Sequence, residues 1–289
     1  AIADLLGEPC QVVKEDTDGP ELVGKNHTLL ALLKSFELAS RAVYAQKKSI
    51  ALAVEAAAHS LRNDGHVYYV GDGSLGLLGM IDSSEMYDTY GLHFLTVRGF
   101  LNGGWTAAEI ASGDLTEEGT LFRVDISHFV EEIMPELTTN DTVVFSCLGS
   151  HTEHPKLFEL ASRLQADECC KVFVFAFVDR SGDINSIATT TTITTQTTTP
   201  AIDISGSRAR QVLLSSVELP LSCSVRSLSS YAQLAAKLVF NAITTGAAVF
   251  KGLVLGNTMI NLGISNNKLF HRAAATIMRF CKVSEDQAH

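Results

Sequence analysis

Val67-Tyr68-Tyr69-Val70-Gly71-Asp72-Gly73-Ser74-Leu75-Gly76-Leu77-Leu78-Gly79 is the stretch on which the fold turns. A short apolar, aromatic run stops at a glycine, as a buried strand does. Leu75 to Met86 then reads as a helix. A strand that feeds a helix through a Gly-rich turn is the opening of a parallel α/β unit. The alternation continues outward. Strands are expected at Phe94 to Val97, Thr142 to Phe145 and Lys171 to Val178, with a late one within Gln211 to Leu219. Helices are expected at Ser127 to Leu137, His154 to Leu164, Leu228 to Phe250 and Asn267 to Phe280. Upstream, His27 to Leu61 is helical, with Leu29, Leu32, Leu33 and Phe36 on one face and a break near Tyr44 to Ser49. The fold class is therefore α/β, a doubly wound parallel sheet of about five strands flanked by helices.

Composition narrows the function classes. The 289 residues are 46% hydrophobic and carry a formal net charge of −10. Such a surface repels phosphate backbones, so a nucleic-acid partner is not expected. A small phosphorylated ligand needs only a local nest of donors and stays possible. Six cysteines are scattered without CxxC spacing, which indicates neither a disulfide framework nor a zinc site and suits a reducing compartment, cytoplasm or nucleus. No uninterrupted apolar run reaches membrane-spanning length, so no membrane role is expected. No organic cofactor or metal is called for. The first residue is Ala1, so a piece of a longer protein is expected. Residues 1–24, with Gly7, Pro9, Gly19 and Pro20, read as a linker into a domain spanning 25–289. Residues 189–200, TTTTITTQTTTP, are a low-complexity loop to which no function attaches.

Four segments carry chemistry. In the Gly71–Gly79 loop, Gly73, Ser74 and Gly76 could cradle an anion at a helix N-terminus. The spacing also fits the GxGxxG fingerprint of dinucleotide sites, but the acidic residue that motif needs is missing after Leu95-Thr96-Val97-Arg98. Phosphate is the better ligand, with a ligand-free turn as the alternative that a repulsive Asp72 supports. Glu85 could accept hydroxyls or act as an acid or base, or simply be solvated. Ser146, Gly149 and Ser150, after the third strand, could converge on the same anion or form an ordinary loop. His151 and His154 have no nearby acid or Cys cluster and read as surface residues rather than metal ligands. Lys268, in Ser265-Asn266-Asn267-Lys268, is a mobile charge suited to phosphate or a plain exposed lysine.

At these residues the chain resembles the glucokinase regulatory protein family, specifically its second sugar-isomerase (SIS) domain, and more distantly the N-acetylmuramic acid 6-phosphate etherases. FELASRAVYAQ (36–46), GHVYYVGDGSLGLLGMIDSSE (65–85), VRGFLNG (97–103), DTVVF (141–145), KLVFNAITTGA (237–247) and ISNNKLFHRA (264–273) carry the resemblance. It implies a SIS-type fold, a preceding SIS half, a helical cap after His289, and a sugar-phosphate site between them. Glu85 and Lys268 are the positions it assigns to that site. It implies a regulator rather than an enzyme, with fructose 6-phosphate favouring the form that binds a glucokinase-type sugar kinase and fructose 1-phosphate favouring release. The kinase-contacting segment matches Leu219, Pro220 and Leu221 in Leu219-Pro220-Leu221-Ser222-Cys223, which is more polar here.

The chain also departs from these patterns. The etherases' second catalytic Glu is absent from Ala111-Ser112-Gly113-Asp114, and Gly206-Ser207-Arg208 is a poor match to their GSTRMKxG segment. Asp88 stands where vertebrate regulators carry His. The expected role is a non-catalytic, phosphosugar-responsive regulatory domain. The rivals are an etherase-like lyase with Glu85 as acid/base, and a structural half that binds nothing.

Overall fold

The structure, a computed structural model, describes residues 36–109, 113–149, 152–179, 212–219 and 226–288. The expected linker, the Thr-rich run, Ser150, His151, Pro220 and Leu221 lie outside the described residues. The strands are β1 (Val67–Gly71), β2 (Val97–Leu101), β3 (Thr142–Leu148), β4 (Lys171–Asp179) and β5 (Val212–Leu219), and they form one parallel sheet in the order β2-β1-β3-β4-β5. The side chain of Leu219, which closes β5, is outside the description.

Strict alternation puts β1, β3 and β4 into two cores. Val67 and Tyr69 of β1, Val144 of β3 and Phe173, Phe175 and Phe177 of β4 face one. Tyr68, Val70, Val143, Phe145, Val172 and Val174 face the other. Burial on both faces is what near-continuous apolar strands require. The first face is covered by α1 (Glu37–Ala45), α2 (Lys47–Arg62), α3 (Gly73–Tyr90) and, late in the chain, the long helix Arg226–Lys251. After β2 come two short helices, α4 (Gly104–Ala108) and α5 (Ile126–His128). Phe129 and Leu137, with α6 (Pro155–Ala166), cover the second face. The long helix is α7. It is followed by the hairpin strands β6 (Val254–Leu255) and β7 (Thr258–Met259), then α8 (Asn267–Cys281) and α9 (Glu285–Ala288).

Ser230–Lys251 of α7 is long and apolar enough to cross a membrane by length and composition. Here that apolarity serves the core. Ala232, Ala235, Val239, Phe240 and Ile243 are wholly buried, and Gly246 lies so close to Val54 of α2 that a Cβ would approach its methyl to 2.6 Å.

Glycines seat α3 on the sheet. A Cβ on Gly76 would stand 2.6 Å from the carbonyl oxygen of Gly71, one on Gly79 2.9 Å from Tyr69 Cβ, and one on Gly99 of β2 2.5 Å from Met80 Cα. The helix backbone therefore rests almost directly on β1 and β2, an approach no larger residue permits.

The structure corrects several boundaries. β2 begins at Val97 and runs to Leu101, because Val97 registers with Val67 while Thr96 N–H closes a turn onto His93. Phe94, expected in the strand, is exposed and stacks on Tyr87 at 4.2 Å. Arg98 disguises the strand. It is buried, with its guanidinium donating to the carbonyls of Thr120 and Arg123 and lying over the Phe100 ring. The expected helix 127–137 is a single α turn followed by a π turn over Phe129–Ile133 and a 3-10 turn over Met134–Glu136, since Pro135 has no N–H to continue the ladder. β3 extends to Leu148, which makes Ser146 a buried strand residue rather than a loop hydroxyl. α3 runs on to Tyr90, where Gly91 takes a left-handed conformation.

At the amino edge of the sheet, Asp141 knots three elements. Its carboxylate accepts from the backbone and ring of His66 and from the N–H and hydroxyl of Thr138. Burial alone would raise this carboxyl; the bonds from His66 and Thr138 outweigh it and hold it below the usual carboxylate range. A lowered folded-state value means that its contribution is complete above the unfolded value of about 3.9 and is lost as pH falls through the folded one. Urea unfolding between neutral pH and pH 3 should therefore show a smaller acid loss of stability in Asp141→Asn than in the parent. Gly76→Ala should destabilise by about 3 kcal/mol. Gly73→Ala, whose new methyl meets nothing within 4 Å, should cost only the about 1 kcal/mol of a left-handed residue. Urea midpoints of the two variants separate packing from backbone strain.

Candidate functional site

The strand order reverses between β1 and β3, and the carboxyl ends of these strands are where an open α/β sheet takes a ligand. The structure places Asp72, Gly73 and Ser74 at that edge, at the start of α3, and Gly149 beyond β3. Gly76 and Ser146 lie beneath it. A Cβ on Gly71 would fall 2.7 Å from both Gly76 Cα and Ser146 Oγ, so these two residues serve the close packing of helix on strand.

The edge already holds an anion of its own. Asp72 Oδ1 accepts from Gly73 N–H at 2.9 Å and caps α3. Asp72 Oδ2 lies 3.0 Å from His154 Nδ1, and His154 Nε2 lies 2.7 Å from the carbonyl of Leu148. Both ring nitrogens therefore lie against acceptor oxygens. His154, expected on the surface, is instead largely buried and bonded to Asp72 across the switch point. Glu153 adds a second carboxylate beside Gly149, whose φ is +109°. The Cys147 thiol records the local field: burial first, then Asp72 and Glu153, pushes it up to about 12. Among the described residues no cluster of His, Cys, Asp and Glu could hold a metal ion.

The second constellation lies in the groove between α3 and α7. Asp82 and Glu85 are three residues apart on α3 and share a face. Lys237 Nζ reaches from α7 to Asp82 Oδ1 and Glu85 Oε2, both at 3.0 Å. Asp82 is 1% exposed, and its other oxygen accepts from Thr244 Oγ1 at 2.9 Å and from the Tyr69 hydroxyl at 3.3 Å. Burial raises the Asp82 carboxyl against the pull of Lys237 and Thr244. Burial would lower the Lys237 ammonium, but its bonds to Glu85 and Asp82 raise it. Breaking such a buried pair from one side costs about 3–5 kcal/mol. Glu85 is the exposed end of the chain of charges, with half of its side-chain surface open to solvent.

Sequence reasoning singled out Glu85 but missed Asp82, Lys237 and Thr244. The signal was present. Lys237 and Thr244 are seven residues apart on the helix, so they share a face with the buried Phe240, and that face carries two polar groups that the packing must satisfy.

Lys268 stands in the first turn of α8, exposed, behind an Asn266 side chain that accepts from Leu269 N–H. Its segment is tied to the end of α3: Asn261 Nδ2 donates to the Tyr90 carbonyl, and Gly263 packs on Tyr87. Glu85 and Lys268 are thus carried by α3 and by the segment docked on its last turn, while the ion-pair partner of Glu85 is Lys237.

A five-stranded parallel sheet with this switch point and helices on both faces defines a doubly wound α/β domain. Residues 44–167 match the family model of the glucokinase regulatory protein's second SIS domain, and residues 256–289 match that of its C-terminal lid domain. The chain is 31% identical over 280 residues to the glucokinase regulatory protein of Homo sapiens, covering 96% of this chain and 41% of that protein. With the Xenopus laevis protein it shares 28% over 265 residues, covering 87% of this chain and 38% of that protein. The N-acetylmuramic acid 6-phosphate etherase of Clostridium acetobutylicum is 26% identical over 280 residues, 96% of this chain and 80% of the etherase. Among solved structures, phosphoheptose isomerase GmhA from Neisseria gonorrhoeae aligns with a TM-score of 0.44 at 13% identity, covering 77% of this chain and 97% of that one. The chain therefore spans about two fifths of the regulatory proteins it matches.

Asp72→Ala removes both the helix cap and the partner of His154, and should cost about 1–2 kcal/mol in urea unfolding. Asp72→Ser keeps a capping oxygen and should recover about half of that loss.

Proposed function

We propose that this chain is one half of a phosphosugar-responsive, non-catalytic regulator that acts on a glucokinase-type sugar kinase. The observation that carries the proposal is the placement of Glu85. It is a half-exposed carboxylate fixed at the α3–α7 groove, on the helix to which the segment bearing Lys268 is docked. Glu85 accepts sugar hydroxyls, and Lys268 supplies a mobile positive charge for the phosphate. Gly73, Ser74, Gly76, Ser146 and Gly149 set the seat of α3 and the edge of the sheet, where Asp72 and Glu153 disfavour a second anion. A preceding SIS half and the rest of the lid complete the site, and Leu219, Pro220 and Leu221 belong to the kinase-facing surface. Fructose 6-phosphate and fructose 1-phosphate favour two different conformations, and the kinase reads the difference. The free thiols Cys147, Cys169, Cys170 and Cys281 suit a cytoplasmic or nuclear setting.

The similarity to etherases over most of their length favours one second reading, a lyase with Glu85 as its acid/base. Release of lactate from N-acetylmuramic acid 6-phosphate by the full-length protein would replace the regulatory proposal with that one.

Thermal unfolding of the full-length protein with each fructose phosphate tests the site. A ligand at about 100 times its dissociation constant should stabilise by roughly 2.7 kcal/mol, and Glu85→Ala and Lys268→Ala should each abolish most of the shift. Undiminished shifts in both variants, or none in the parent, would overturn the assignment.

A further inference from the structure

We propose that Lys237 is the positioning residue of this site and, by holding Glu85, selects the hydroxyl-bearing end of the ligand over its phosphate. The inference rests on Glu85 being a ligand contact and adds a residue and an orientation to it.

Lys237 sits midway along α7, a helix whose buried residues include Ala236, Val239, Phe240 and Thr244, and it carries a charge to the edge of that packing. Its ammonium is 3.0 Å from one oxygen of Asp82 and 3.0 Å from one oxygen of Glu85. Asp82 is held in place: it is buried and is also bonded by Thr244 and Tyr69, and Tyr69 stands on the interior strand β1. Lys237 therefore transmits a fixed position from the sheet to a carboxylate that is half in water. Without that bond Glu85 is a long side chain with free rotamers, and ordering it on binding costs affinity. With it, Glu85 Oε2 is occupied and Oε1 is left to accept from a ligand.

Charge sets the orientation. Asp82 and Glu85 together carry two negative charges against one on Lys237, and Asp88 lies one turn further along the same helix. Net negative surroundings repel a phosphate and favour hydroxyl donors. The phosphate is thus turned away from α3, and Lys268 is an exposed cation on the segment docked at the end of that helix.

The test is a double-variant cycle on fructose 6-phosphate affinity, measured by calorimetry on the full-length protein: parent, Glu85→Gln, Lys237→Gln and the two combined. Each single change should weaken binding by about tenfold, the loss of one charged hydrogen bond. The double variant should bind no worse than Glu85→Gln alone, and Lys237→Arg should bind more tightly than Lys237→Gln. Neutral fructose should lose the same factor as its phosphate when Lys237 is changed. Parent-like binding in Lys237→Gln alongside a loss in Glu85→Gln would overturn the role of Lys237 and leave the Glu85 assignment standing. Additive losses would make Lys237 merely structural, and parent-like binding in Glu85→Gln would remove both. If Lys237→Gln does not fold, the same cycle is run with Asp82→Asn in every member, which removes the buried charge together with its partner.

Discussion

Close contact between α3 and the strands beneath it is the constraint from which the rest of the structure follows. Gly71 against Gly76, Gly79 against Tyr69 and Gly99 against Met80 bring the helix backbone onto β1 and β2 with almost nothing between them. A helix so seated cannot slide or rotate by a residue without a clash. Its N-terminus is aimed at the switch point of the sheet, and its outer face is aimed at α7. Every charged group of interest on it inherits its place from these backbone contacts.

The two ends of α3 then solve opposite electrostatic problems. At the N-terminus the free N–H groups and positive dipole end favour an anion, and the chain supplies one in Asp72, which is bonded to His154. Further along, Asp82 is buried where a lone carboxylate would be costly, and Lys237, Thr244 and Tyr69 neutralise or bond it. Because Lys237 must lie where Asp82 is, and Glu85 is one turn on, Glu85 is held at the surface. The structure thus satisfies the anion-favouring crevice internally and presents a carboxylate elsewhere, the reverse of what a Gly-rich loop suggests in isolation. Of the glycines in that loop, Gly71, Gly76 and Gly79 are spacers between backbones, whereas a Cβ on Gly73 would meet nothing within 4 Å.

What was legible in the sequence was what depends on local pattern. The runs Val67–Val70, Thr142–Phe145 and Lys171–Val178 are apolar on both faces, and only a covered parallel sheet accommodates such strands. The helix break near Gln46 follows from short-range chemistry. What was not legible depends on partners far away in the chain. Arg98 reads as a polar residue that ends a strand, yet it is buried within β2 because the carbonyls of Thr120 and Arg123 come back to cover it. Ser146 reads as a loop hydroxyl, yet pairing of β3 with β4 extends to Leu148 and takes it into the sheet.

By itself, then, the sequence determined the class of fold, the order of its elements, the acidic character that disfavours nucleic acid, and the family its motifs resemble, since each of these is written in composition or short-range periodicity. Only the tertiary structure decided which charges meet. Asp72 and His154 are 82 residues apart, and Asp82 and Lys237 are 155 apart. Nothing local to any of them names its partner. They are brought within 3.0 Å because the sheet order and the seat of α3 leave them nowhere else to be.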